Sequence, residues 1–225
     1  MKFAKDRHRW LQWLYQARKR YRLTILNYTV TSNHIHLIVY DDSSGQQIPR
    51  SIQLVAGRTG QQYNQRKKRK GAFWQDRYHA TVIEKAEHLL RCIVYIDMNM
   101  VRAGVVDHPK DWIHGGYVEI QNPRRKCILV DYEKLCHLAV YSDFERFQKA
   151  HRKWVNAALT KAEPRRETQW TEAIAVGDES FIRFVKRQMH SLAIGRRVRP
   201  TEAGYELKEP SAPYNCDFDV KKNRY

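Results

Sequence analysis

The sequence predicts an α+β fold built on an antiparallel sheet with helices packed on one side. Residues 23–30 and 34–40 are short runs rich in β-branched and aromatic side chains, parted by the polar break Thr31-Ser32-Asn33, which is the pattern of a hairpin. Around that hairpin, helical and extended patterns interleave. Residues 4–20 space Trp10, Trp13, Leu14 and Ala17 by three and four among basic residues, which predicts an amphipathic helix. Residues 41–49 have a loop composition, and 50–66 read as a helix despite Gly57 and Gly60. That helix ends in the basic run Arg66-Lys67-Lys68-Arg69-Lys70, and residues 78–84 could form another strand. Residues 85–102 are the strongest helix in the chain, closed by Ala103-Gly104.

From about residue 121 the character changes, and Asn122-Pro123-Arg124-Arg125 reads as a boundary. The expected organisation is therefore a sheet-centred domain over 1–120 and a mainly helical extension over 121–225. Helical patterns cover 131–140 and 143–160, the second opened by Ser142-x-x-Glu145 as a capping box. A further helix after Asp178 places Phe181, Phe184, Val185, Met189 and Leu192 on one stripe. Residues 195–225 are polar, with Pro and Gly, and are expected to wrap the surface or fray.

Composition narrows the function. The 225 residues carry 41 Lys+Arg against 24 Asp+Glu, a formal charge of +17. With 42% hydrophobic residues the chain can bury a core, which excludes wholesale disorder. Apolar stretches are short and Arg91 interrupts the best of them, which excludes a membrane-spanning helix. The N-terminus lacks the apolar core of a signal peptide. Cys92, Cys127, Cys136 and Cys216 form no CxxC pair, which argues against a zinc ribbon or a disulfide framework and for a reduced, cytoplasmic setting. Excess Lys and Arg neutralise phosphates well, so nucleic acid is the leading partner; charge for solubility alone is the alternative.

Two groups of residues could carry chemistry. His34 and His36 lie two apart on the second predicted strand, so both imidazoles face one way and can share a divalent ion. On the 85–102 helix, His88, Arg91, Cys92, Tyr95, Asn99 and Arg102 fall on one stripe, beside a core face of Leu89, Ile93, Ile96 and Met100. Tyr95 and Asn99 are thus neighbours one turn apart. Two histidines and an amide oxygen can hold a divalent metal, and a tyrosine beside them can attack phosphorus to form a phosphotyrosine. Arg91 or Arg102 would favour the phenolate. Each group taken alone also suits a bland reading, ordinary strand histidines and a surface tyrosine.

The motifs in order point further. Asn33-His34-Ile35-His36-Leu37-Ile38-Val39 resembles the HUH motif of single-strand tyrosine transposases. Gly71-Ala72-Phe73-Trp74-Gln75-Asp76-Arg77-Tyr78 is similar to the G-x-x-W-Q-x-R-Y segment of the REP-associated branch. Tyr95-Ile96-Asp97-Met98-Asn99-Met100-Val101-Arg102-Ala103-Gly104 resembles that branch's Y-I-x-x-N-P-V-R-A-G. The resemblance covers about residues 5–120. It implies a sheet-centred HUH domain of the ferredoxin-like or RRM-like kind, magnesium or manganese, and cleavage of single-stranded DNA near imperfect hairpins through a 5′-phosphotyrosine. By position it implies Tyr95 as nucleophile and His34, His36 and Asn99 as metal ligands.

Three departures stand out. Members of the family begin with a strand before the first helix, so here either the sheet lacks that strand or the start lies upstream. Met100 replaces a proline, and Thr31-Ser32 replaces Met-Pro. Trp74, Arg77 and Tyr78 could stack on unpaired bases, although core packing is an equal reading for Trp74 and Tyr78. The 66–70 run, Arg91 and Arg102 could contact phosphates, and Arg124, Arg125, Arg196, Arg197 and Arg199 could add affinity. A hairpin-binding protein with weak cleavage and a water-using phosphodiesterase are the competing readings. Nucleoid association follows from DNA as partner, and monomer and homodimer both stay open.

Overall fold

The computed structural model describes residues 1, 3–41, 45–75, 77–160, 166–202 and 204–209. The chain divides into two compact units, Met1–Tyr78 with Lys85–Glu167, and His79–Glu84 with Thr168–Tyr225. The described residues from 121 to 167 therefore lie in the first unit. The fold is α+β.

In the first unit, helix α1 (Ala4–Tyr21) buries Trp10, Leu11, Leu14 and Ala17 and stops where Arg22 turns left-handed at φ 56°. Strands β1 (Thr24–Val30) and β2 (Ile35–Tyr40) form the expected antiparallel hairpin, with Thr29 opposite His36 and Val30 opposite Ile35. Thr31 closes the turn: its amide donates to the His34 carbonyl at 2.9 Å and its hydroxyl accepts from the His34 amide at 2.9 Å. Strand β1 is buried along nearly its whole length. On the edge away from β2, the Val30 amide donates to the His114 carbonyl and the Asp131 amide to the Ile25 carbonyl. Loop segments, rather than further strands, cover that edge among the described residues.

Helix α2 (Gln47–Lys67) starts inside the segment expected to be loop. Pro49 permits this because a first-turn residue has no intrahelical use for its amide hydrogen. Residues 42–44 of that loop lie outside the described residues. Helix α2 packs on α1: the Trp13 indole donates to Gln62 Oε1 at 3.0 Å, and Arg66 pairs with Asp6.

The helix expected over 85–102 is broken in two, α3 (Glu87–Asp97) and α4 (Asn99–Arg102), with Met98 between them at φ −73°, ψ −1°. Side chains of β1 reach into the backbone here. Thr29 Oγ1 donates to the Ile96 carbonyl at 3.2 Å and Asn27 Nδ2 to the Ile93 carbonyl at 3.4 Å. Such insertions disturb a helical ladder. Gly104 closes α4 at φ +64°, a conformation that a side chain would strain.

Three further helices complete the unit, α5 (Gly116–Gln121), α6 (Tyr132–Leu138) and α7 (Phe144–Leu159). The cap of α7 is Asp143, not the expected Ser142; its side chain accepts from the Arg146 amide at 2.8 Å. The aspartate takes the position because a carboxylate also complements the helix dipole. A side-chain Cβ at Gly116 would sit 2.1 Å from Asn27 Oδ1, so glycine is required for α5 to meet β1.

In the second unit, β3 (Val82–Ile83), α8 (Gln169–Glu172), β4 (Ala175–Gly177), α9 (Glu179–Gln188), β5 (Arg197–Thr201) and β6 (Gly204–Lys208) form a sheet of order β3-β4-β6-β5 with its helices. The strand expected over 78–84 shrinks to Val82–Ile83 and pairs in parallel with β4. The tail expected to wrap or fray instead supplies the β5–β6 hairpin, whose Leu207 is fully buried. Its polar residues misled because polar Glu206 is buried beside Leu207. Residues 210–225, with Cys216, lie outside the described residues. The stripe of α9 is narrower than expected: Ile182 is buried with Phe181, Val185 and Met189 around it, while Phe184 and Leu192 are exposed. Leu192 lies beyond the end of α9, where helical spacing no longer holds. No helix among the described residues is long and apolar enough to cross a membrane.

Candidate active site

The hairpin and the α3–α4 break bring the site together. Asn99 Nδ2 lies 3.1 Å from His36 Nε2. The Tyr95 ring meets the His36 ring edge-on, with centroids 6.4 Å apart. His34 sits one residue before β2, exposed, and close enough for its charge to act on His36. Burial first, then the positive charges of His34, Arg102 and Arg166, pull His36 down to about 4. The ring is therefore neutral at neutral pH, with one nitrogen free of a proton and able to bind metal.

Tyr95 is only 5% exposed, and Cys92 and His88 are buried with it. Three residues of the stripe beside the core face, His88, Cys92 and Tyr95, are thus interior, which goes against the bland reading of a surface tyrosine. β1 covers one side of α3 and α7 packs on another, a crowding that no local pattern records. Burial pushes the Tyr95 phenol up, while Arg102 and Arg166 pull it down and Glu167 raises it. Arg102 lies over the Tyr95 ring, 3.9 Å from guanidinium carbon to centroid. Its Nη2 is buried and finds no hydrogen-bond partner among the described residues. Such a donor is costly unless something fills its place. Cys92 shares the stripe, but burial raises its thiol far above neutrality, so it is no rival nucleophile.

The other candidates are placed apart from this cluster. Arg91 is exposed and pairs with Glu87 one turn earlier. The basic run forms the end of α2 and the turn after it: Arg66 pairs with Asp6, Arg66 and Arg69 lean on the Tyr63 ring, and Lys67 lies over Phe3. Lys68 and Lys70 are exposed. Trp74 is half-buried, donates to the Ala56 carbonyl at 3.0 Å and meets Phe73 edge-on, so it is largely a packing residue. Arg77 and Tyr78 are exposed, Tyr78 at 53%. The sequence reading missed Arg166 and Glu167, whose charges act on Tyr95 from beyond α7, and no motif marks them.

Two imidazoles and a carboxamide oxygen form a donor set that suits manganese or magnesium; Asn99 and His36 are close enough to share an ion once the carboxamide turns its oxygen, rather than Nδ2, toward His36. Residues 3–99 match the family model described as transposase IS200 like. That stretch, under half of the chain, is similar to the IS200-like transposases. The match takes in His34, His36, Tyr95 and Asn99. No curated protein matches the chain, and no solved structure does.

Proposed function

We propose that this protein is a transposase that cleaves and rejoins single-stranded DNA beside REP-like hairpins through a covalent link to Tyr95. The observation that carries the reading is the convergence of Tyr95, His36 and Asn99 within one chain. His34, His36 and Asn99 would hold a magnesium or manganese ion, which when bound supplies Lewis acidity toward a phosphate oxygen. The Tyr95 oxygen attacks phosphorus; the phenolic O–P bond forms, the bond to the 3′-oxygen breaks, and the proton lost by the phenol is balanced by one taken up at the leaving 3′-oxygen. The strand ends are then a 5′-phosphotyrosine and a free 3′-hydroxyl, and attack by a 3′-hydroxyl reverses the step. Arg102 contributes twice. Its charge favours the phenolate, and its unsatisfied Nη2 suits a phosphate oxygen.

The test is a denaturing gel of protein incubated with manganese and a 3′-labelled hairpin oligonucleotide, followed by peptide mapping. A labelled adduct at Tyr95 is expected, and none in Tyr95→Phe. That variant keeps the ring and loses at most about 0.5–1.5 kcal/mol of stability. Hairpin binding with no adduct in the parent protein would favour a domesticated binding protein.

A further inference from the structure

Asp97 stands between Tyr95 and Asn99 in the chain, at the last position of α3, and the chemistry above makes no use of it. Its side chain and that of His151, on α7, are both fully covered. His151 Nε2 lies 2.6 Å from Asp97 Oδ2, and Asn27 Nδ2 donates to Asp97 Oδ1 at 3.0 Å. The direction of the histidine bond follows from its neighbours. Arg152 donates through Nε and Nη2 to Gln121 Oε1, at 3.1 and 3.0 Å, which turns the Gln121 amide nitrogen toward His151 Nδ1, 3.0 Å away. Nδ1 accepts there, so Nε2 carries the hydrogen and donates to Asp97. Phe147 stacks on the imidazole at 5.7 Å and Tyr117 meets it at 5.3 Å, so the ring cannot swing away.

A phenyl ring would fill this aromatic slot as well without burying polar atoms; what a histidine adds is a donor aimed at one carboxyl oxygen. We propose that His151 is a positioning residue for DNA cleavage: through Asp97 it locks the α3–α4 break, and with it the placement of Tyr95 relative to Asn99. One carboxyl oxygen is held by β1 and the other by α7, so the break cannot shift without breaking a buried hydrogen bond. The inference rests on the cleavage reading for its effect on rate, but not for its effect on local structure.

The experiment compares His151→Phe, which keeps a ring and removes the donor, with His151→Gln, whose amide can still donate to Asp97. In His151→Phe, single-turnover adduct formation should fall about tenfold or more while hairpin affinity is unchanged, since small misplacements cost rate steeply. His151→Gln should recover most of that loss. Independently of activity, hydrogen exchange should accelerate about tenfold in peptides spanning residues 94–102 of His151→Phe, confined to that segment, and slow again in His151→Gln. If His151→Phe does not fold, Asp97→Asn, which keeps one acceptor oxygen and so leaves either the His151 or the Asn27 donor unmatched, should show the same local loosening. Unchanged exchange at 94–102 would overturn the proposal, and so would acceleration spread over the whole first unit. If the parent forms no adduct, the cleavage reading fails and the exchange result alone decides whether the lock exists.

Discussion

Glu119 has a side chain with no exposure at all, yet no sequence pattern singles it out. Its Oε1 accepts from the amides of Leu129 and Val130 at 2.7 and 2.8 Å, and its Oε2 accepts from the Tyr28 hydroxyl at 3.0 Å. Arg124 Nε lies 3.7 Å from Oε2. One side chain thus ties α5, β1 and the segment before α6 together. Removing it leaves two buried amides and a buried hydroxyl without partners, so Glu119→Ala should cost about 3–5 kcal/mol in urea unfolding. Glu119→Gln keeps an acceptor for both amides and should cost clearly less. His114 supplies a pH-dependent counterpart. Burial, with the positive charges of Arg7 and His8, pulls it down to about 4 from the usual 6.5. The folded protein therefore binds this proton more weakly than the unfolded chain does. Stability is full above pH 6.5 and falls as the pH drops toward 4. Between pH 7 and about 4.5 the parent should lose about 2 kcal/mol more than His114→Asn, measured by urea unfolding at each pH. Equal losses would remove His114 from the account.

At the scale of elements, α2 and the α3–α4 pair do different work. Helix α2 is pinned to α1 by Trp13–Gln62 and Arg66–Asp6, and it carries the basic run on its exposed end. Charges on an anchored helix meet a phosphate chain without first being ordered. Neutralising Lys67, Lys68, Arg69 and Lys70 to Gln should flatten the salt dependence of hairpin binding by ~0.7 in log K per log salt for each phosphate left without its cation. Arg66 is best left in place, because Asp6 is buried beneath it and would lose its partner. An unchanged slope would move the electrostatic footprint to another part of the chain. The α3–α4 pair, by contrast, was legible as one long helix from its spacing. Its break was not, because the groups that intrude on its backbone, Thr29 and Asn27, belong to a strand distant in sequence.

At the scale of the molecule, affinity and chemistry have separate origins. The charge of +17 is a property of the whole chain, whereas the proposed cleavage would rest on a handful of side chains at the hairpin and the α3–α4 pair. Chelation with EDTA should therefore abolish adduct formation while hairpin binding persists. His34→Ala and His36→Ala should do the same. Full cleavage in EDTA would rule out a metal role for the two histidines.

Read alone, the sequence determined the hairpin, the amphipathic helices, the positive charge and the candidacy of His36, Tyr95 and Asn99, which lie together in the fold. These depend on periodicity, on turn chemistry and on the His-x-His and Tyr-x-x-x-Asn spacings, all of them local. Only the tertiary structure decided that Tyr95 is buried, that Arg102 rather than Arg91 lies against it, and that Asp97 is held by His151. Burial and pairing of this kind depend on which distant elements pack together. The same holds for β5 and β6, which become strands only because β4 supplies the edge that β6 joins. A strand's hydrogen bonds, unlike a helix's, are completed by another part of the chain.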